Sequence, residues 1–389
     1  MERHEAIVAG AGPAGLATAA LLGKRGFEVQ VLERARAVGA RWRERYEGLR
    51  LNTARLFSSL PGQRIPRSYG RYADREDFVT YLEDYARRQR LPIRFDTSLE
   101  RVDHGDAGLW RVETSAGPLS ARYVVVATGY DAVPKLPDLP GRDAYAGELI
   151  HASDYRGPEP YRERDVLIVG AGNTGVDIAG HLVAAGARVS LAMRTPPNLF
   201  PRDWLGLPLQ ASAIVLDRLP ARIGDVAGFT AQRLIFGDLS RYGIPRAPEG
   251  FQTKFRRALV GAAVDDGFVA ALKSGRTRVV AQVERFEETD VLLVDGTRLQ
   301  PDAVICATGY RRGLEPIVGH LGVLRPDGIP VRHQGAPEHP AAPRLYFAGF
   351  WGSNAGQIRL MPIHARRIAR AAARDRARVP ADRPTAVAA

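Results

Sequence analysis

A chain of 389 residues is long enough for two separately packed cores, since single cores stop growing at ~250–300 residues. Its composition is that of an ordinary globular protein, 45% apolar and 25% charged. No run approaches the ~18 apolar residues of a membrane span, no signal peptide is visible, and the single Cys306 excludes an internal disulfide and any dithiol redox pair.

The net charge of +12 does not point to nucleic acid. Only four of the 55 basic residues are lysines (Lys24, Lys135, Lys254, Lys273), and the arginines are scattered instead of forming one basic run. That bias fits a GC-rich bacterial genome, and the whole profile leads to the expectation of a cytoplasmic protein.

Residues 7–34 read IVAGAGPAGLATAALLGKRGFEVQVLER: an apolar strand, a GxGxxG turn, a small-residue helix and a second strand. In this setting Gly10 permits the tight turn, Gly12 lets backbone N–H groups approach a pyrophosphate, and Gly15 lets helix and strand pack closely. Pro13 and Ala14 open the helix, whose N-terminus offers unpaired donors and partial positive charge to phosphate. Glu33 closes the second strand, where a carboxylate accepts hydrogen bonds from a free ribose 2′-OH. This is the adenosine end of FAD or NAD.

A mixed region leads to the strand 123–126 and the turn Ala127-Thr128-Gly129-Tyr130, then to a Pro-rich extended linker over 133–140. The first pattern then returns. Residues 167–194, LIVGAGNTGVDIAGHLVAAGARVSLAMR, align with 7–34 without a gap, so that Gly170, Gly172 and Gly175 match Gly10, Gly12 and Gly15. Asn173 and Thr174 fill the turn. Two copies in register make coincidence a poor explanation. At the position of Glu33 the second copy has Met193, followed by Arg194; loss of the acid and a guanidinium able to grip a 2′-phosphate suit NADPH. FAD is therefore assigned to the first unit and NADPH to the second.

Residues 205–245 read as two or three short helices of ~3.6-residue period, a packing element or lid, with a membrane-surface contact less favoured because acidic and basic residues are mixed. A second Ala307-Thr308-Gly309-Tyr310 follows the strand 304–306. Both such turns suit a chain leaving a sheet beside a cofactor; a plain inter-domain crossover is the other reading, with Thr and Tyr side chains in structural roles. The chain returns through residues 345–349 to a final helix over about 361–374, and the tail beyond Arg378 has little to bury and is expected to be disordered.

The expected fold class is α/β: two Rossmann-like dinucleotide-binding domains of glutathione-reductase-like organisation. The FAD domain spans 1–157 and 311–378. The NADPH domain, 158–310, is inserted in it and carries a helical insertion at about 205–260. There is no Ser/His/Asp order, paired-carboxylate motif or metal-ligand spacing among the eight histidines, so no metal is expected.

The chain resembles the flavin-containing monooxygenases (class B flavoprotein monooxygenases), most closely the short YUCCA-type enzymes and their bacterial relatives, over about residues 5–372. The resemblance rests on both glycine loops, both ATGY turns and the fingerprint FxGxxxHxxx(Y/F). That fingerprint stands here as Tyr145-Ala-Gly147-Glu-Leu-Ile-His151-Ala-Ser-Asp-Tyr155, with Tyr for Phe at its start. It implies that Arg41 and Trp42 contact FAD and that Asn52, followed by Thr53, sits at the reactive face of the flavin as the catalytic residue. It also implies cofactor contacts for Val102, both ATG turns with Tyr310, Gly349 and Gln357. An Asx-turn or cap is the bland reading of Asn52. His151 is expected to orient the inter-domain linker rather than to do chemistry. Two segments depart from the family: Gly39-Ala-Arg41-Trp42, and the stretch near Trp351-Gly-Ser-Asn354. The substrate is therefore left open.

The function implied is an FAD- and NADPH-dependent monooxygenase. Through a C4a-(hydro)peroxyflavin it would pass one oxygen of O₂ to a small molecule, by N- or S-oxygenation or by carbonyl oxidation and decarboxylation. The alternatives are an NADPH oxidase or flavin reductase releasing H₂O₂ and, ranked lower, an FAD/NADPH-binding redox sensor. Expected partners are a small-molecule substrate and O₂, with no nucleic acid and no integral membrane segment; a homodimer stays open.

Overall fold

The computed structural model describes residues 1–378 apart from 332, 334 and 335; the tail expected to be disordered lies outside the described residues. Two parallel sheets carry the two glycine loops. In the first, the strand Glu2–Ala9 lies between Val29–Leu32 and Leu119–Val126, parallel to both. Ile93–Arg94 extends one side and Ala342–Phe347 the other, so a strand from the end of the chain completes the first sheet. An antiparallel meander, Leu99–His104 and Trp110–Thr114, attaches at Leu119–Val126. Residues Ala6–Ala9 are at most 1% exposed, as expected of a parallel strand covered on both faces. The helix Pro13–Gly23 packs against the long helix Gln357–Arg378, and its run of Ala, Gly and Thr allows that close approach. The latter helix is longer than the 361–374 expected, and it holds Pro362 inside it.

The second sheet runs Thr277–Val280, Arg188–Ala192, Asp165–Val169, Ala303–Cys306, Glu148–His151, all parallel. Its last member corrects the domain limits drawn above. Glu148–His151 falls before residue 158, yet it pairs with Ala303–Cys306 and belongs to the second unit. A four-residue strand with no turn motif beside it leaves too little pattern to assign to either sheet. Three helices form the insertion: Leu209–Leu216, Ala221–Phe236 and Phe251–Ala258. Two of them lie in the region read as short helices, although the second runs to 16 residues.

The chain passes between the sheets twice, immediately after the two ATG turns. The outgoing Val133–Pro134 pairs antiparallel with the returning Tyr310–Arg311, making a two-stranded hinge between the halves. The fingerprint braces this hinge. His151 is 3% exposed, and its Nε2 lies 3.0 Å from the Gly309 carbonyl while its Nδ1 meets Ser153 at 2.9 Å. A Cβ at Gly147 would stand 2.5 Å from the end of the Tyr145 ring, so any side chain there would require that ring to move. Tyr155 is buried against Tyr46 and Tyr161. Among the described residues no helix is long and apolar enough to cross a membrane.

Candidate active site

The two glycine loops place the same demands on their surroundings. Gly10 has φ +116°, and a Cβ there would meet the Ala127 carbonyl oxygen at 2.3 Å; Gly170 has φ +112°, and its Cβ would meet that of Ala307 at 2.6 Å. Each ATG turn is thus the floor of one loop, which places Ala127 and Thr128 under the first and Ala307 and Thr308 under the second, with Gly129 and Gly309 leading out of the turns. The third glycines are tighter still: a Cβ on Gly15 or Gly175 would lie 1.8 or 1.9 Å from the carbonyl of Gly10 or Gly170. The second glycines differ in kind. Around Gly12 and Gly172 nothing lies within 4 Å of where a Cβ would be. That open space sits at the N-termini of the helices Pro13–Gly23 and Asn173–Ala184, the place where a pyrophosphate would meet orphan N–H groups. Both loops therefore fit a dinucleotide.

The rims are unlike. Glu33 reaches back over the first loop, its carboxylate accepting from the Ala11 N–H at 2.7 Å and the Ala35 N–H at 3.0 Å. Arg194, at the matching end of the second unit, is exposed and makes no ion pair among the described residues. At the far side of the first loop Gly349 comes down on Ala14, where a Cβ would be 3.0 Å from its methyl, and Gln357 donates to the Gly349 carbonyl at 2.6 Å. Arg41 donates to the Asp131 carbonyl at 3.1 Å, just past the first ATG turn, and Trp42 packs edge-on against Phe78. Tyr310 accepts a hydrogen bond from Arg45 at 3.1 Å, and Arg45 is paired with Asp131 at 2.6 Å. Val102 is not a side-chain ligand: it is fully buried with Ile7, Ala9 and Leu32 in the core, leaving only its backbone to face a cofactor.

Between the halves lies a cavity of about 640 Å³ bounded by both loops' neighbours and roofed by the insertion. Asn52, Thr53, Asn173 and Thr174 line it, as do Phe200, Leu209, Phe251, Phe255 and Met361. Asn52 crosses the gap, its Nδ2 donating to Asn173 Oδ1 at 3.2 Å. Gln210 pins the roof to two segments of the first half: it accepts from the Ala54 N–H at 2.7 Å and donates to the Ala355 carbonyl at 2.6 Å.

A polar cluster behind Asn52 was not visible in the sequence. Arg202, with a side chain 9% exposed, contacts Asn52 Oδ1 at 3.2 Å, Asp177 at 3.7 Å and the carboxylate of Asp266. Tyr46 donates to Asp177 at 2.5 Å, and burial together with that carboxylate pushes the Tyr46 hydroxyl well above the ordinary tyrosine range. Arg202 is one arginine among many; nothing but its folded position marks it.

The comparisons agree with this architecture. Residues 7–203 match the family model described as pyridine nucleotide-disulphide oxidoreductase. Indole-3-pyruvate monooxygenase YUCCA1 of Oryza sativa subsp. japonica is 36% identical over 323 residues, covering 82% of this chain and 80% of that protein. In fold, the flavin-containing monooxygenase from Stenotrophomonas maltophilia superposes with TM-score 0.73 at 23% identity, covering 96% of this chain and all of that one. A steroid monooxygenase bound to NADP superposes with TM-score 0.71 at 20% identity, covering 97% and 86%. With two glycine loops of the same geometry and a relative of this closeness along most of its length, the chain belongs to the flavin-containing monooxygenase family.

Proposed function

We propose that FAD on the first loop and NADPH on the second meet a small substrate and O₂ in the cavity that the two halves share. The chain is a flavin-dependent NADPH monooxygenase. The observation that carries this reading is the hydrogen bond from Asn52 to Asn173, which brings the first half of the chain to the second glycine loop inside one chamber. When bound, the flavin takes up hydride from NADPH and is the centre at which O₂ reacts.

The protein's own residues bind, orient and exclude water. Glu33 receives the FAD ribose and Arg194 the 2′-phosphate of NADPH, in a unit whose lower boundary moves to about residue 148. Asn52 holds a side-chain amide at the chamber wall. The apolar roof keeps water away, which favours transfer of oxygen to substrate over loss as H₂O₂. Cys306 takes no part: it is fully buried, and burial pushes its thiol up to about 12. The scarcity of lysine supports a bacterial source with a GC-rich genome.

The rice relative is named for indole-3-pyruvate, and a chamber walled by Phe200, Phe251, Phe255 and Met361 has the surface to hold an aromatic ring. An aromatic 2-oxo acid is therefore the first substrate to try, followed by amines and sulfides. Anaerobic NADPH is expected to bleach the flavin, and admission of air with indole-3-pyruvate to yield product in proportion to NADPH consumed. H₂O₂ equal to NADPH with every substrate would identify an oxidase. Failure of NADPH to bleach the flavin would remove the enzyme assignment.

A further inference from the structure

The amide of Asn52 is held at both ends by groups whose hydrogen-bonding sense cannot be reversed. On one side stands Arg202, and a guanidinium has only donors. The atom that Asn52 turns toward it at 3.2 Å must therefore be the carbonyl oxygen. On the other side stands Asn173. Its Oδ1 accepts from the backbone N–H of Val264 at 2.8 Å, and its Nδ2 donates to the carbonyl of Ala262 at 3.1 Å, so its orientation is set by main chain. Asn173 thus offers Asn52 an acceptor, and Asn52 must answer with its NH₂. A side-chain amide is otherwise free to flip, its two ends being nearly equal in shape.

We propose that Arg202 is a positioning residue: it fixes the amide sense of Asn52, so that Asn52 presents N–H donors along the cavity wall and ties the first half of the chain to the second glycine loop. The geometry around Arg202 suits this duty. Its charge is already met by Asp177 and Asp266, and a further contact at 3.4 Å runs to the Arg50 carbonyl. Its guanidinium carbon lies 5.9 Å from the centre of the Tyr72 ring, whose hydroxyl donates to the Arg202 carbonyl at 3.0 Å. A guanidinium so occupied is a fixed donor, not a free anion receptor. Without it, the Asn52 amide is held from the Asn173 end alone: its oxygen loses the donor that faces it, the side chain gains freedom to swing, and the bridge that steadies the Asn173 loop is weakened.

This rests on the assignment of NADPH to the second loop, but its test does not need turnover. Arg202→Met keeps the aliphatic stem and removes every donor; Arg202→Lys restores one donating end; Asn52→Ala removes the amide. NADP⁺ affinity is measured on the FAD-loaded proteins from the perturbation of the flavin absorption bands, with flavin content and Tm recorded for each. Arg202→Met and Asn52→Ala are each expected to weaken NADP⁺ by about tenfold, the double variant by no more than either alone, and Arg202→Lys to recover most of the loss, as coupled residues do. Multiplied losses of ~100-fold in the double variant would mean independent roles and overturn the proposal. So would full affinity in Arg202→Met. Should Arg202→Met lose flavin or stability, Arg202→Gln, which removes the charge and the fixed donor sense, takes its place in the same cycle with Asn52→Ala and is judged by the same rule. Failure of the monooxygenase reading is a separate result, seen as unbleached flavin or product-free NADPH consumption in the unmodified enzyme.

Discussion

At the first glycine loop a Cβ on Gly15 would come 1.8 Å from the Gly10 carbonyl; at the second, a Cβ on Gly175 would come 1.9 Å from that of Gly170. The turn glycines adopt φ values 4° apart, and each lies over the alanine of its own ATG turn. Backbone geometry thus treats the two sites as one solution used twice. The difference lies at the rim. Arg34 and Arg194 occupy equivalent positions, so a guanidinium alone cannot tell the sites apart. What separates them is Glu33 against Met193. The carboxylate lies over the first loop and would repel a 2′-phosphate, whereas the thioether leaves Arg194 unopposed. Shape makes a dinucleotide site, and the proposed selection between dinucleotides turns on this one side chain.

The largest effects should come from the shared geometry. Gly175→Ala forces the helix Asn173–Ala184 off its strand, and is expected to abolish flavin bleaching by NADPH while FAD is retained. Gly15→Ala is expected to yield protein without FAD and less stable by ~1–3 kcal/mol, the usual result of forcing atoms into a packed site. The ratio of flavin to protein absorbance and an anaerobic NADPH titration check both. Loss of FAD from Gly175→Ala with FAD kept in Gly15→Ala would reverse the assignment of cofactors.

The rim comes next. Arg194→Ala removes a charge-assisted contact, so kcat/KM for NADPH should fall by about tenfold to a hundredfold with little change for NADH. Met193→Glu copies the first rim onto the second loop and should lower NADPH use at least as much while favouring NADH. Steady-state rates with both nucleotides decide. Equal losses for NADPH and NADH would show that the rim is not the selector.

The comparison also shows what could be read in the residues. Both loops, their sheets and the carboxylate at Glu33 were legible because the turn needs glycine at fixed spacing and the strands need apolar runs. The fingerprint from Tyr145 to Tyr155 was legible as a pattern, but its physical content came only with the fold: a ring lying over Gly147, and a histidine bolted to Gly309. Arg202, Asp177 and Gln210 were not legible. Their partners, Asn52, Tyr46, Ala54 and Ala355, lie more than a hundred residues away, and no local rule distinguishes a buried arginine from an exposed one. The strand Glu148–His151 was misplaced for the same reason, since pairing with Ala303–Cys306 is a long-range fact.

The smallest expected effect concerns the hinge that joins the two regions. Burial holds His151 below its ordinary value of 6.5, so the unfolded chain takes up a proton more readily than the folded one. Its neutral ring bridges Ser153 and the Gly309 carbonyl, the second of which belongs to the returning crossover. Stability from this residue is therefore complete above 6.5 and drains away as pH falls from there toward the lowered folded-state value. In His151→Gln the titrating group is gone, although an amide can still donate to Gly309. The variant should be somewhat less stable at about pH 8, yet its Tm should fall less than that of the parent on going to about pH 5.5. Parallel Tm profiles would show that protonation of the hinge histidine does not load the crossover, and that the two halves are held at low pH by contacts elsewhere.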